Sequence, residues 1–402
     1  MSDYPRASCV GPVSREPRAS AWPRSPLLLC ASSSRTGPVE GLLALGTWLR
    51  ARGIDARFAG DTVRPGEDLD EHLARAGVPW ARELRLSRKV RLADILHDAR
   101  SLRAWVRSGN PDLLHASFPH DHLLSLWAAR GVSEVRVFRT AHRRRDVEPG
   151  FRIRALRRTD GVLVHSQSYR DALLAQGLSP ERVAAIPGGV DAARFSPGHA
   201  PELRERWGVP RDAPLAGMVA RMKPERGHRA LLQAFARTAP SDAWLVLIGR
   251  GEEEEPLRAL ARELGEAGRR IVFGGYARGD ELIAAYRALD VGVWLREGND
   301  GACRGVLESM ACGVPMIVGN DGAPPELLGD SDAIDSDCGR VVDPKSVDAI
   351  SAALRELLED FPLARKLGAA ARARAETFTQ DRFAEAVLDF WRRIRSIPRA
   401  WR

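Results

Sequence analysis

The chain has 402 residues, 44% of them hydrophobic and 28% charged, with a formal net charge of +8. That length holds two domains of ordinary size, each able to bury a core, and the charged fraction is that of a soluble globular protein. No apolar run reaches the ~18 residues that a membrane-spanning helix needs, and five cysteines (Cys9, Cys30, Cys303, Cys312 and Cys338) without a Cys-x-x-Cys pair argue against a disulfide framework and for a reducing compartment.

Residues 1–24, rich in Pro, Ser and Arg, read as a disordered tail. The stretch Leu27-Leu28-Leu29-Cys30 lacks the small residue and the long apolar region of a lipoprotein signal. From Pro26 the pattern is strand, loop, helix. Pro26 to Cys30 is a strand, Ser32 to Gly37 a loop, and Val39 to Arg52 a helix stopped by Gly53. Short strands follow at Ala56–Ala59, Asp112–His115, Val135–Phe138 and Gly161–Val164, the last leading into a helix from Ser168 to Gln176. Strands alternating with helices predict a parallel sheet.

The densest cluster of Pro and Gly spans Pro187 to Pro214 and reads as an interdomain link. The pattern then restarts, with strands at Leu215–Ala220, Trp244–Ile248, Ile271–Phe273, Val291–Leu295 and Pro315–Val318. Helices are expected at Gly227–Thr238, Glu253–Leu264, Gly301–Cys312 and Phe378–Ile394. The fold class is therefore α/β: two Rossmann-like, doubly wound parallel-sheet domains with a cleft at the carboxyl ends of both sheets. The boundaries read as 25–195 for the first domain, 196–375 for the second, and 376–402 for a helix that packs back on the first.

Arginine supplies nearly all the positive charge; Lys89, Lys223, Lys345 and Lys366 are the only lysines. The arginines gather at Arg82, Arg85, Arg88 and Arg91, then at Arg143, Arg144, Arg145, Arg152, Arg154, Arg157 and Arg158. A solvated face is the plain reading of such clusters, and attraction to an anionic membrane surface is the functional one. Aromatics are not interleaved with the charge, so nucleic acid is not expected as a partner.

Two segments of the second domain carry anion chemistry. In Arg221-Met222-Lys223-Pro224-Glu225-Arg226 a basic loop joins a strand end to a helix start, and guanidinium forks suit phosphate oxygens. In Asn299-Asp300-Gly301-Ala302-Cys303-Arg304 a helix start exposes amides to an anion, with Glu308 about two turns further on. Taken singly, these are a surface loop, an N-cap and a solvent-facing carboxylate; together they make a phosphate and ribose site.

These segments resemble glycosyltransferase family 4, the group 1-like retaining enzymes of the GT-B fold, over nearly everything after the tail. Pro187-Gly188-Gly189-Val190-Asp191 resembles the family's link segment, Leu247-Ile248-Gly249-Arg250-Gly251 its strand and glycine turn, and Asp300 with Glu308 its two acidic residues separated by seven. Ala311-Cys312-Gly313-Val314-Pro315 and Gly322-Ala323-Pro324-Pro325-Glu326 follow in the family's order. The resemblance implies roles. Arg221 and Arg226 neutralise the donor diphosphate. Glu308 binds the ribose and Asp300 a sugar hydroxyl. Gly301, Ala302 and Cys303 offer amides to the sugar and phosphate. Gly249 and Tyr276 border the nucleotide, and Gly37 lies under the diphosphate. His142, in Thr140-Ala141-His142, stands near the reacting sugar.

The resemblance further implies a hexosyltransferase that uses a nucleotide sugar such as a UDP- or GDP-sugar, with no metal or other cofactor. The expected acceptor is a glycan or lipid-linked saccharide of cell-envelope polysaccharide or lipopolysaccharide synthesis. The expected location is cytoplasmic, peripheral on the inner face of the membrane. The chain departs from the pattern at Asp300, Arg226, Ala302-Cys303 and Gly188; Arg304 is an added cation suited to an acidic sugar or to the phosphate. His115, His120, His122 and His142 lack an accompanying acidic or thiolate ligand and do not read as a zinc site. A nucleotide-sugar epimerase of the same architecture and an inactive donor-binding protein are the alternatives.

Overall fold

A computed structural model of the chain describes residues 22–33, 36–63, 69–87, 91–238, 240–296, 303–329 and 335–400. The first half runs β1 (Pro26–Leu29), α1 (Gly37–Arg50), β2 (Arg57–Ala59), α2 (Leu69–Ala76), α3 (Leu92–Arg107), β3 (Leu113–Ala116), α4 (Pro119–Ala128), β4 (Arg136–Thr140), α5 (Arg144–Val147), α6 (Phe151–Leu156), β5 (Gly161–Val164), α7 (Gln167–Ala175) and β6 (Val183–Ala185). The second runs α8 (Pro201–Arg206), β7 (Leu215–Val219), α9 (His228–Thr238), β8 (Trp244–Ile248), α10 (Glu254–Glu263), α11 (Gly265–Arg269), β9 (Ile271–Gly275), α12 (Asp280–Arg287), β10 (Val291–Trp294), α13 (Arg304–Ala311), β11 (Met316–Gly319), α14 (Ala323–Leu328), β12 (Asp335–Ser336), β13 (Gly339–Val342), α15 (Val347–Glu359), α16 (Phe361–Ala375) and α17 (Gln380–Arg395).

The described strands form two sheets. One is six-stranded in the order β2-β1-β3-β4-β5-β6, the other seven-stranded in the order β12-β13-β11-β10-β7-β8-β9. Every pairing is parallel except β12 with β13. Helices cover both faces, so the strands are largely apolar; Leu27, Leu28 and Leu29 are all buried, on alternating faces, while β4 also buries Arg136 and Arg139.

The last helix belongs physically to the first sheet. Ala384, Val387, Leu388, Phe390, Trp391 and Ile394 pack with Leu28, Phe58, Phe138 and Leu163. Each apolar side chain of that size contributes roughly 1.5–3 kcal/mol when fully buried. Thr379 caps the helix by accepting from the Arg382 N–H. The return crosses beside the link, where the Val190 N–H donates to the Phe378 carbonyl at 2.8 Å. The chain thus passes twice between the halves, at 186–200 and at 375–380.

Candidate active site

Strand order decides where a ligand can sit. In the first sheet the connections leaving β1 and β3 run to opposite sides; in the second those leaving β7 and β10 do so. Doubly wound sheets leave a crevice at the carboxyl ends of such strands, because the loops part there. The loop after β7 carries Arg221 and Arg226, and the helix after β10 is α13.

In the first half, α1 opens at Gly37 with Pro38 in its first turn, which suits a position with no helical N–H partner. Gly37, Pro38 and Glu40 line a cavity of about 470 Å³ together with Thr140, His142, His165, Phe383 and, from the second half, Arg304. His142 is buried just past β4, and neither ring nitrogen has a hydrogen-bond partner among the described residues. Its ring stacks on His165 with centroids 5.6 Å apart and lies 6.3 Å from Phe118. Burial, reinforced by the positive surroundings of His165 and Arg139, pushes its pKa well below the usual histidine value. His142 is therefore a neutral imidazole with donor and acceptor both available on a cavity wall.

The other histidines of the cluster have separate tasks. His115 Nε2 bonds the Thr140 hydroxyl at 2.6 Å, and His122 Nε2 the Thr159 hydroxyl at 2.7 Å. Burial lowers the His115 pKa to about 3 and takes His122 well below its ordinary value. Among the described residues no group of three or more His, Cys, Asp or Glu side chains is arranged to hold a metal ion.

In the second half, the loops after β7, β8 and β9 are tied together. Ala220 N–H donates to Ile248, Met222 N–H to Arg250, and Gly249 N–H to Gly275. Gly249 has φ +145°, and a Cβ there would lie 2.0 Å from the Ala220 carbonyl oxygen, so the approach admits only glycine. Arg221 is exposed on this loop cluster. Tyr276 is exposed as well, with the Arg250 guanidinium 4.5 Å from its ring centroid, forming a flat cationic and aromatic surface.

Arg226 closes a 3-10 turn, is buried, and holds its guanidinium 5.6 Å from the centre of the Trp294 ring at the end of β10. Trp294 in turn lies on Gly305, where a Cβ would come within 2.6 Å of the ring. A chain of contacts therefore joins Arg226 to the first turn of α13.

α13 starts at Arg304, preceded by fully buried Cys303 in a left-handed conformation (φ +45°), which a non-glycine residue adopts at a cost of order 1–3 kcal/mol. The helix was expected from Gly301, with Glu308 two turns in. It begins three residues later, after the left-handed turn, and Glu308 lies one turn in. Glu308 is buried, not solvent-facing. It accepts from the Tyr286 hydroxyl at 3.1 Å and from Arg304 Nη2 at 2.7 Å. Burial first, then the Glu308 charge, holds the Tyr286 pKa well above its ordinary value, so it stays a donor. Arg304, expected as a cation for an acidic sugar or phosphate, is engaged by two carboxylates, Glu308 and Glu40, the latter at 3.7 Å across the cleft.

The structure thus brings Gly37, His142 and Arg304 to one cavity, ties Glu308 to Arg304, and joins Arg226 to the same helix. Arg221, Gly249 and Tyr276 lie on the loop cluster, not on that cavity's wall. Asp300, Gly301 and Ala302 lie outside the described residues. Sequence reading missed Glu40, Tyr286, Trp294 and His165. Glu40, Tyr286 and His165 carry no motif or spacing of their own and Trp294 reads as a strand residue, so no local signal sets them apart.

Two family models match the chain: Glycosyltransferase Family 4 over residues 36–194 and Glycosyl transferases group 1 over residues 199–374. A GDP-mannose-dependent alpha-mannosyltransferase of Mycobacterium tuberculosis is 34% identical over 304 residues, which is 70% of this chain and 74% of that protein. A GDP-mannose-dependent alpha-(1-6)-phosphatidylinositol monomannoside mannosyltransferase of Mycolicibacterium smegmatis is 32% identical over 222 residues, 52% of this chain and 56% of the relative. The chain spans little more than half the length of that relative. Among solved structures, a glycosyltransferase from Rickettsia africae superposes with a TM-score of 0.75 at 18% identity, covering 93% of this chain and 100% of that one. Anabaena Alr3699/HepE in complex with UDP and glucose also gives 0.75 at 18% identity, covering 91% and 98%. At that identity the likeness speaks for the fold, two facing α/β domains of GT-B type.

Proposed function

The chain belongs to the group 1 glycosyltransferases of family 4, and from that premise we propose that it moves a hexose-type sugar from a nucleotide-sugar donor to an acceptor in its cleft, with retention of configuration. One observation carries this reading: buried Arg226, Trp294, the start of α13 and the buried carboxylate of Glu308 are joined where the second sheet's connections part, and Arg304 of the same helix shares a cavity with His142.

The chemistry follows from charge. As the bond from the anomeric carbon to the diphosphate oxygen breaks, negative charge builds on the departing diphosphate. Arg221, Arg226 and the amides at the start of α13 stabilise it without needing a metal. Glu308 accepts from the ribose hydroxyls, Asp300 from a hydroxyl of the transferred sugar, and Tyr276 borders the base. The acceptor oxygen attacks on the face that the leaving group vacates, and its proton passes to the departing phosphate. His142, neutral at physiological pH, hydrogen-bonds the reacting sugar without adding charge. Closure of the two halves excludes water and limits donor hydrolysis.

The acceptor is a glycan or a lipid-linked saccharide of the cell envelope, met at the inner face of the cytoplasmic membrane. The arginine-rich surface of α5 and α6, with Phe151 69% exposed, supports this. Among the described residues no helix is long and apolar enough to cross a membrane. The similarity to the phosphatidylinositol monomannoside mannosyltransferase of Mycolicibacterium smegmatis supports the same setting.

The test is a transfer assay with a panel of UDP- and GDP-sugars, with product configuration read by proton NMR. Arg221→Ala and Arg226→Ala are each expected to abolish transfer. Unchanged donor turnover in either variant would remove the assignment of the phosphate site.

A further inference from the structure

Arg304 is held by carboxylates from both halves. Its Nη2 lies 2.7 Å from Glu308 Oε1, and its Nη1 3.7 Å from Glu40 Oε2. Glu40 sits in the first turn of α1, where the helix end favours an acid, and is also 3.1 Å from His72 Nε2. The Tyr286 hydroxyl holds the other oxygen of Glu308. A line of polar contacts therefore runs His72, Glu40, Arg304, Glu308, Tyr286, from α2 in one half to α12 in the other. The Arg304 side chain is 34% exposed, Glu40 18% and Glu308 6%, so water and salt screen this line less than a surface pair. Burial alone would lower the guanidinium's pKa; Glu308 and then Glu40 outweigh it, and the net shift is upward.

Other polar contacts also cross between the halves. Arg144 pairs with Asp321 at 2.6 Å, and the Glu326 carboxylate accepts from the Gln167 and Ser168 N–H groups at the start of α7. Neither touches a residue assigned to the donor. The Arg304 contact does, through Glu308.

We propose that Arg304 is a positioning residue that couples donor binding to closure: it orients Glu308 for the donor ribose and, through Glu40, draws α1 and Gly37 over the donor. This rests on the donor site proposed above. With both oxygens of Glu308 engaged by its own half, the carboxylate cannot swing. A ribose hydroxyl that donates to Glu308 takes up part of its charge and leaves more of the guanidinium's attraction for Glu40. The Glu40 contact is the longer of the two and has room to shorten. On opening, Arg304 keeps Glu308 and Glu40 keeps His72, so neither charge is stranded. Two arrangements with both charges satisfied are what a ligand-biased equilibrium needs.

The experiment combines titration calorimetry, small-angle scattering and product partition on the full chain, with UDP, GDP, UDP-glucose and GDP-mannose as probes. Wild type is expected to bind a nucleoside diphosphate and to become more compact with it, as with the matching sugar nucleotide. Glu40→Gln binds the nucleoside diphosphate about threefold more weakly because closure no longer contributes, loses the compaction, and raises the ratio of donor hydrolysis to transfer about tenfold. Arg304→Met loses compaction and also binds the diphosphate about tenfold more weakly, and the double variant partitions no worse than Arg304→Met alone. Glu40→Asp, which keeps the charge, restores part of the compaction. A Glu40→Gln protein that compacts and partitions like wild type overturns the proposal while leaving the donor site standing. A wild type that binds none of the four probes removes the donor site, and this inference with it.

Discussion

At the scale of single residues, the site is built from groups whose charge is fixed by their surroundings. His142 and Tyr286 are kept neutral by burial. The histidines also tie stability to pH. His115, His122 and His142 all have folded-state values below the unfolded one, so below the unfolded value near 6.5 the unfolded chain binds more protons than the folded one. Their contribution is fully present above that value and is lost as pH falls toward their folded values, about 3 for His115. Each removes about 1.4 kcal/mol per pH unit in that window. A urea midpoint that drops steeply from pH 7 to about pH 4, and less steeply in His115→Asn, is expected; a flat profile would contradict it.

The residues that the pattern made visible are those whose chemistry needs little context. Arg226 and Glu308, the residues proposed for a phosphate and a ribose, stand out by their spacing from a strand end and a helix start. What the pattern hid is the company they keep. Nothing near Trp294 in the sequence says that Arg226 will lie over it, and nothing near Glu40 says that it will face Arg304 from the other half, since both contacts are made by folding.

At the scale of elements, α13 is the piece on which the site turns, and Gly305 is its most sensitive position. On helix propensity alone, Gly305→Ala should stabilise by about 0.5–1 kcal/mol. The contact with Trp294 reverses the sign, because the new Cβ falls 2.6 Å from the ring. The expected outcome is a loss of about 1–3 kcal/mol in denaturant unfolding, with weaker nucleotide binding as Trp294 and Arg226 shift. A stabilised Gly305→Ala protein with full nucleotide affinity would show that this contact does not matter. Strands such as Trp244–Ile248 were legible because a strand buried on both faces is a continuous apolar run. The start of α13 was not, because the left-handed turn at Cys303 carries no glycine to announce it. The helices α2, α3 and α4 were hidden because α2 has only eight residues, while in α3 and α4 buried Asp94, Asp98, Asp121 and His122 interrupt the apolar stripe.

At the scale of the whole molecule, two sheets, a doubled crossing and a C-terminal helix docked on the first half leave a cleft whose walls come from both. That the chain restarts its βα pattern after a Pro- and Gly-rich link was legible, as was a last helix returning to the first half; the contacts by which α17 completes that core, Trp391 and its neighbours on Phe138 across more than 200 residues of chain, were not. The arginine-rich surface of the first half is expected to bind vesicles containing anionic phospholipid and not neutral ones, with binding lost at high salt. Co-sedimentation indifferent to anionic lipid content would contradict that.

The donor site proposed at the start of α13 is tested by an experimental structure with a bound UDP- or GDP-sugar. The diphosphate is expected between Arg226 and the first amides of α13, the ribose hydroxyls on Glu308, and the sugar toward His142. A nucleotide seated on the first sheet, or one that leaves Arg226 and Glu308 untouched, would contradict it.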